Sequence, residues 1–211
     1  MMKNKIAVYG GGGHGKVVAE IIELSGNNEV FFFDEQWPSV LKNEHWPLNG
    51  NLATLIENIN SYDGVIVAIG NNKIRVNVFN ELKRINAPLQ SFIHPTACIS
   101  RYSQIGIGSV IMAHAAINPF VTIGDAVIVN TAATIDHDSV VSNGSHICPG
   151  VHLSGAVKVG ESVMIGVGAQ VVQCINIGDD AVVGAGTNVI FDVEPNTIVV
   201  GNPAKLIQKK G

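Results

Sequence analysis

The spacing of apolar residues along the chain changes once, near residue 90, and each side of that change predicts its own architecture. Before it, short apolar runs alternate with amphipathic stretches. Residues 5–9 predict a buried strand, 10–15 a turn, and 16–24 a helix with Val17, Val18, Ile21, Ile22 and Leu24 as its apolar stripe. A second strand over 30–33 ends at Asp34. A helix over 52–59, a strand over 64–69 and an amphipathic helix over 73–84 complete a βαβαβ order, which argues for a parallel sheet.

From Ile93 onward the period is six. Ile93, Ile99, Ile105 and every sixth residue to Val189 are aliphatic, seventeen positions without a slip. Four places after each stands Ala, Ser, Val, Thr or Ile, from Ala97 and Ser103 to Ala181, Thr187 and Val193. Helices repeat every 3.6 residues and strands every 2. A period of six instead fits a triangular coil of three short strands, each side turning one large and one small residue inward. Three hexapeptides make an 18-residue coil, so 93–189 holds a little over five coils, roughly 25 Å tall at about 4.8 Å per stacked strand. Each buried aliphatic contributes about 1.5–3 kcal/mol before entropy is counted, so the prism is a rigid scaffold and function belongs on its outside. The predicted fold is an α/β Rossmann-like half domain over 1–90, then a parallel β-helix with a C-terminal tail over 91–211.

Composition narrows the partners. Thirteen Lys+Arg against seventeen Asp+Glu give a net charge of −4, and the one basic cluster is the tail of Lys205, Lys209 and Lys210. That disfavours nucleic acid, whose binders carry a basic stripe. No apolar run approaches the 18 or so residues of a membrane span, and the N-terminus lacks a signal-peptide pattern, so a cytoplasmic protein is expected. Cys98, Cys148 and Cys174 form no CxxC pair and read as small packing residues in a reducing compartment.

Two places carry chemistry. Gly10, Gly12 and Gly15 satisfy GxGxxG between a strand and a helix, with Asp34 nineteen residues after Gly15. Glycines let a backbone approach a ligand, and a helix N-terminus offers N–H groups and a positive dipole to phosphate. Three strands make only one mononucleotide half, which suits a nucleotide diphosphate better than NAD. Arg75 is a candidate phosphate partner, and a solvated helix face explains it equally well. Of seven histidines only His137 is flanked by carboxylates, Asp136 and Asp138. It falls two places after the inward Ile135, on an outward-pointing side of the prism, with Pro119 and Gly155 one coil away on either side. Gly155 would leave open space beside the imidazole for a thin bound chain. An imidazole near neutrality suits general-base work, and a neighbouring carboxylate fixes its tautomer; either aspartate could do so. His94, His114 and His152 read as structural. The spacing H-x4-H of trimeric zinc hydratases with this prism is absent, so no metal is expected.

The repeat resembles the left-handed β-helix of hexapeptide acyltransferases, and IVVGNPAKLI over 198–207 resembles the tail that closes that family's prism. With the opening YGGGGHGKVVAEII the chain is similar to the sugar acetyltransferases of the sialic acid O-acetyltransferase and UDP-4-amino-sugar N-acetyltransferase group. The resemblance implies acetyl-CoA as co-substrate and a UDP-linked 4-amino-4,6-dideoxy sugar as acceptor, with sialic-acid-type O-acetylation as the alternative and a non-catalytic nucleotide-sugar sensor as a remote one. It implies His137 as general base with Asp138 raising its basicity, where the family would have the longer Glu. It places Gly12, Gly13 and His14 near the diphosphate, Asp34 and Glu35 near the uridine, and Gly70 with Asn71 in the third turn. Asn130, His146, Gly155 and Val167 match positions along the acetyl-CoA groove, which in the family lies between neighbours of a homotrimer.

Overall fold

A computed structural model describes residues 3–209, so Lys210 lies outside the described residues. The chain forms two compact units, Met1–Pro95 and Thr96–Gly211. In the first, strands β1 (Asn4–Tyr9), β2 (Asn28–Phe33) and β3 (Gly64–Val67) make a parallel sheet in the order β2-β1-β3. Central β1 pairs Ile6 with Val30 on one side and Val8 with Ile66 on the other. A central parallel strand must be apolar on both faces, and Ile6, Ala7, Val8 and Tyr9 are all buried.

Helix α1 spans Gly13–Leu24, starting three residues earlier than the pattern predicts. Gly13, His14 and Gly15 are therefore its first turn and not loop. Val18, Ala19, Ile21 and Ile22 are buried, whereas Val17 and Leu24, expected in the stripe, are exposed. Asn51 caps α2 (Leu52–Glu57) by accepting the Thr54 N–H at 3.1 Å, and the expected continuation to 59 becomes a separate 3₁₀ turn, Ile59–Ser61. Helix α3 runs Asn72–Arg84. Between β2 and α2 a small hairpin pairs Lys42–Asn43 with Trp46–Pro47.

The second unit is a parallel β-helix of two-residue strands. Up to Val189 the strands pair with those 18 residues on, as in Ile117 with Ile135, Ile135 with Leu153, and Leu153 with Val171. The inward aliphatics from Ile111 to Val189 are buried, while Ile99 and Ile105 pack partly buried against the column. The turns repeat as strictly as the strands. Every sixth residue from Gly108 through Gly186 has a left-handed φ, between +52° and +70°, including Phe120, Ala132, Asp138, Ala156 and Cys174. Four of the small inward positions hold serines that join coils, and Ser103 does so by donating to the Asn118 carbonyl at 2.8 Å. Buried Ser109, Ser139 and Ser145 each donate to a carbonyl fifteen residues on and accept an N–H eighteen residues on. A buried hydroxyl that both donates and accepts is hydrogen-bonded well enough not to destabilise the core.

The period slips only at the end. Val193, expected as a small inward residue, instead bridges Ile177, and Val199 pairs with Val183, both at an offset of sixteen. Asp192 lies in the shortened coil, where its carboxylate accepts the Asn176 N–H at 2.8 Å and the Asn176 side-chain amide at 3.1 Å. These bonds also hold its pKa below the ordinary value. The tail then reverses, Thr197–Val200 pairing antiparallel with Lys205–Lys209.

Candidate active site

The glycine turn divides into glycines the fold requires and glycines that leave space. Gly10 has φ +122°, and a Cβ there would stand 2.6 Å from the Ala68 carbonyl oxygen. At Gly15 a Cβ would lie 2.0 Å from the Gly10 carbonyl oxygen, so α1 can approach β1 only without a side chain. Around Gly12, Gly13 and Gly70, by contrast, a Cβ would meet nothing within 4 Å. These three border a cleft of about 430 Å³, also lined by Tyr9, His14, Glu35, Ile69 and Ile74. On the hairpin side of the same turn a second cleft of about 290 Å³ includes Lys16 and Lys42; Lys16 also pairs with Glu44.

The acidic residues shape this turn. Asp34 accepts the Gly11 N–H at 2.7 Å and the Gln36 N–H at 2.9 Å, so its carboxylate pins the turn to the end of β2. Glu35 accepts from the Tyr9 hydroxyl at 2.8 Å and the Leu52 N–H at 3.1 Å. Burial first, and then the bond to Glu35, push the Tyr9 phenol well above its ordinary pKa, so it remains a donor. Asn71 caps α3 by accepting the Ile74 N–H at 3.1 Å. Arg75 fits neither expectation, phosphate partner or solvated face. It is 1% exposed, donates to the carbonyls of Ile69 and Gly70 at 2.9 and 3.2 Å and to Asn72 Oδ1 at 2.8 Å, and so fixes the turn carrying Gly70. Desolvation lowers its pKa to about 10, still charged at neutrality. Tyr9, Ile74 and the two lysines escaped the sequence reading; an aromatic at the strand end before a glycine turn was the available signal.

In the second unit His137 and Asp138 form a corner turn of the prism rather than part of its flat side, because they occupy the two turn positions between the strands Thr134–Ile135 and Val140–Val141. Asp138 holds the left-handed position, φ +61°, where Asp and Asn are the side chains best tolerated after Gly. His137 Nδ1 lies 2.8 Å from Asp138 Oδ2. An ionised carboxylate only accepts, so Nδ1 carries the proton and Nε2 presents its lone pair. Asp136, the rival orienter, is held elsewhere: its Oδ1 accepts from Asn118 Nδ2 at 2.6 Å. Both members of the pair are largely exposed.

Gly155 does not leave the expected open space. An added Cβ would stand 2.7 Å from His137 Cε1 and 2.8 Å from Nε2, so the imidazole itself fills that place. The other residues expected along the acetyl-CoA groove belong to a different strand stack and its turns. Asn130 Nδ2 is 3.1 Å from His146 Nε2, and Val167 is an exposed turn residue. His152 Nδ1 is 2.8 Å from Thr134 Oγ1, and His114 takes a left-handed turn position. Cys148 is buried, its thiol pushed up to about 11 by desolvation, but Cys98 and Cys174 are exposed and so are not the packing residues expected. Among the described residues no group of three or more His, Cys, Asp or Glu could hold a metal ion, and no helix is long and apolar enough to cross a membrane.

Residues 5–82 match the PglD N-terminal domain. The chain is 35% identical over 114 residues to UDP-N-acetylbacillosamine N-acetyltransferase from Bacillus subtilis, a match covering 53% of this chain and 52% of that one. The chain thus spans about half the length of this curated relative, and smaller shares of other curated acetyltransferases it matches. Among solved structures it is similar to the acetyltransferase domain of PglB from Neisseria gonorrhoeae in complex with acetyl coenzyme A, with a TM-score of 0.93 and 38% identity over 97% of this chain and 100% of that one. It is also similar to a histidine-to-asparagine variant of perosamine N-acetyltransferase from Caulobacter crescentus in complex with CoA and GDP-perosamine, with a TM-score of 0.91 and 34% identity over 97% of each chain. With a six-residue repeat, a corner imidazole and a matched N-terminal domain, the chain belongs to the family of left-handed β-helix sugar acetyltransferases that carry a PglD N-terminal domain.

Proposed function

We propose that the protein is an acetyl-CoA-dependent N-acetyltransferase acting on the 4-amino group of a UDP-linked 4-amino-4,6-dideoxy sugar. The observation that carries this reading is the His137–Asp138 pair, an exposed imidazole whose Nδ1 proton is engaged by a carboxylate and whose Nε2 is available to a substrate. The acceptor nitrogen attacks the thioester carbonyl, forming the N–C bond. Its proton passes to His137 Nε2 as the C–S bond breaks, and the resulting imidazolium, stabilised by Asp138, returns that proton to the departing CoA thiolate. Such base action is worth about 10²–10⁴ in rate, and the remainder comes from holding amine and thioester together.

The nucleotide half of the acceptor has its counterpart in the first unit. The open faces of Gly12, Gly13 and Gly70 give a diphosphate room beside the first turn of α1, with His14 at the same edge. Asp34 and Glu35 stand at the end of β2, where a nucleoside is held in folds of this kind, and Asn71 fixes the turn of Gly70. In this reading Asn130, His146, Gly155 and Val167 border the acetyl-CoA groove, the active protein is a homotrimer with that groove between neighbours, and it works in the cytoplasm, where thiols stay reduced.

The test is release of CoA thiol from acetyl-CoA with UDP-4-amino-4,6-dideoxy sugars, their GDP-linked counterparts and free sialic acid as acceptors. UDP-linked amino sugars should turn over fastest, and His137→Ala should lower kcat by about 10²–10⁴ while acceptor binding persists. Full turnover by His137→Ala, or no thiol release with any amino-sugar nucleotide, would refute the assignment.

A further inference from the structure

Gly155 carries more information than its place in a groove. The imidazole of His137 lies against the Cα of Gly155 in the next coil, where an added Cβ would come within 2.7 Å of Cε1, 2.8 Å of Nε2 and 3.3 Å of Nδ1. Nothing in the backbone at Gly155 calls for glycine. Its φ is not in the left-handed region; that conformation falls to the next residue, Ala156, at +58°. The equivalent first position of this corner is Arg101, Pro119, His137 and Gln173 in the other coils, so the turn accepts a side chain there every other time. A contrast comes from another corner, where glycines recur for a steric reason. A Cβ at Gly106 would lie 2.4 Å from the backbone of Gly124, and one at Gly178 would lie 2.5 Å from the Pro195 nitrogen. At Gly155 the three nearest atoms all belong to one imidazole.

The turn beneath the ring is also held firmly. Ala156 N–H donates to the His137 carbonyl at 2.9 Å, and Cys174 N–H donates to the Gly155 carbonyl at 3.0 Å. Ser139, immediately after the catalytic pair, donates to the Ser154 carbonyl and accepts the Val157 N–H, gripping Gly155 from both sides. We infer that Gly155 is a positioning residue for the reaction, a seat whose missing side chain lets the His137 ring lie on the next coil and so sets where Nε2 points. Asp138 fixes which nitrogen carries the proton and the rotation of the ring about its hydrogen bond; Gly155 fixes the plane against which the ring rests. The inference rests on the role proposed for His137 but concerns a different group and a different force. Any side chain at position 155 should push the imidazole outward and leave the scaffold intact, since the obstructing atoms are the end of a flexible side chain and not backbone.

The test pairs a structural readout with a kinetic one. In protein labelled with ¹³C at histidine Cε1, the His137 ring proton should show a nuclear Overhauser contact to the Gly155 Hα protons, and Gly155→Ala should shift the His137 resonance while the other histidines stay in place. Gly155→Ala should retain the wild-type melting temperature, lower kcat by about 10–100-fold, the cost of misplacing a reacting group by about an ångström, change the KM for acetyl-CoA less than threefold, and displace the acidic limb of the kcat pH profile. In a His137→Ala background the same change should have no further effect on kcat. An absent Overhauser contact, an unchanged kcat in Gly155→Ala, a change confined to KM, or an equal loss in the His137→Ala background would each overturn the inference. A wild-type protein that shows the contact but releases no thiol would instead refute the acetyltransferase reading and leave the seat standing as geometry.

Discussion

The glycine turn of the first unit and the histidine corner of the second reach a fixed geometry from opposite directions. Around the glycine turn every constraint is particular: Asp34 pins Gly11, Arg75 holds the carbonyls of Ile69 and Gly70, and Gly10 and Gly15 give way so that α1 can close on β1. None of these contacts is repeated. The histidine corner is one step of a ladder in which every sixth residue from Gly108 to Gly186 adopts the same left-handed turn and, until the last coil, the strands pair at the same offset. There the proposed chemistry needs only two unusual residues, His137 and Asp138, set on a shape already specified by their neighbours. A site built on a repeat can therefore change its side chains with little risk to the fold, whereas a site built from singular contacts couples binding to stability.

That contrast can be broken at either end. Gly15→Ala should have the largest effect, since its Cβ would collide with backbone 2.0 Å away; a loss of about 3 kcal/mol or more should appear as early unfolding of the first unit in thermal or urea melts. Gly12→Ala, with open space around it, should leave the melt unchanged and weaken UDP-sugar binding by at least about tenfold by calorimetry. Equal melts for the two variants would remove the distinction between required and open glycines. Asp138→Asn should keep the fold and lower kcat by roughly 10²-fold, because an amide can hold the imidazole in the wrong tautomer; steady-state kinetics with circular dichroism checks both halves. Ser139→Ala leaves a buried N–H and carbonyl without their shared hydroxyl and should cost about 1–3 kcal/mol, showing how much local disturbance the ladder absorbs. The smallest effect concerns thiols: alkylation of the native protein at pH 8 should label Cys98 and Cys174 and spare Cys148, counted by mass spectrometry. Because folding raises the Cys148 pKa to about 11, its contribution to stability is complete below the unfolded thiol's range and is lost as pH rises through about 11.

The same contrast explains what was legible in the sequence. The six-residue period determined the register of the prism, from Ile117 on Ile135 to Val171 on Val189, because one rule applied to every coil. At Val193 the inward burial holds but the offset drops to sixteen, in the coil where the Asp192 carboxylate takes the Asn176 N–H; no periodic signal marks such a local capture. The pairing of His137 with Asp138 was legible because the residues are adjacent, but the choice over Asp136 was not, since it depends on Asn118 eighteen residues earlier. Arg75 was misread for a related reason. A cation on an amphipathic helix normally faces solvent, and its burial depends on carbonyls of a turn whose course the sequence does not announce. From the sequence Gly155 reads as empty space, because spacing by 18 finds which residue lies beneath the imidazole but not whether the ring stands clear of it or rests on it.

A stack of parallel rungs is an interrupted filament: each end offers a template on which another copy could grow. Here the strand Lys205–Lys209 runs against the direction of the ladder, is exposed along its whole length, and carries a lysine at either end. A newcomer would find the wrong polarity and a repelling charge. On that one face of the prism the tail strand thereby acts as a chain terminator.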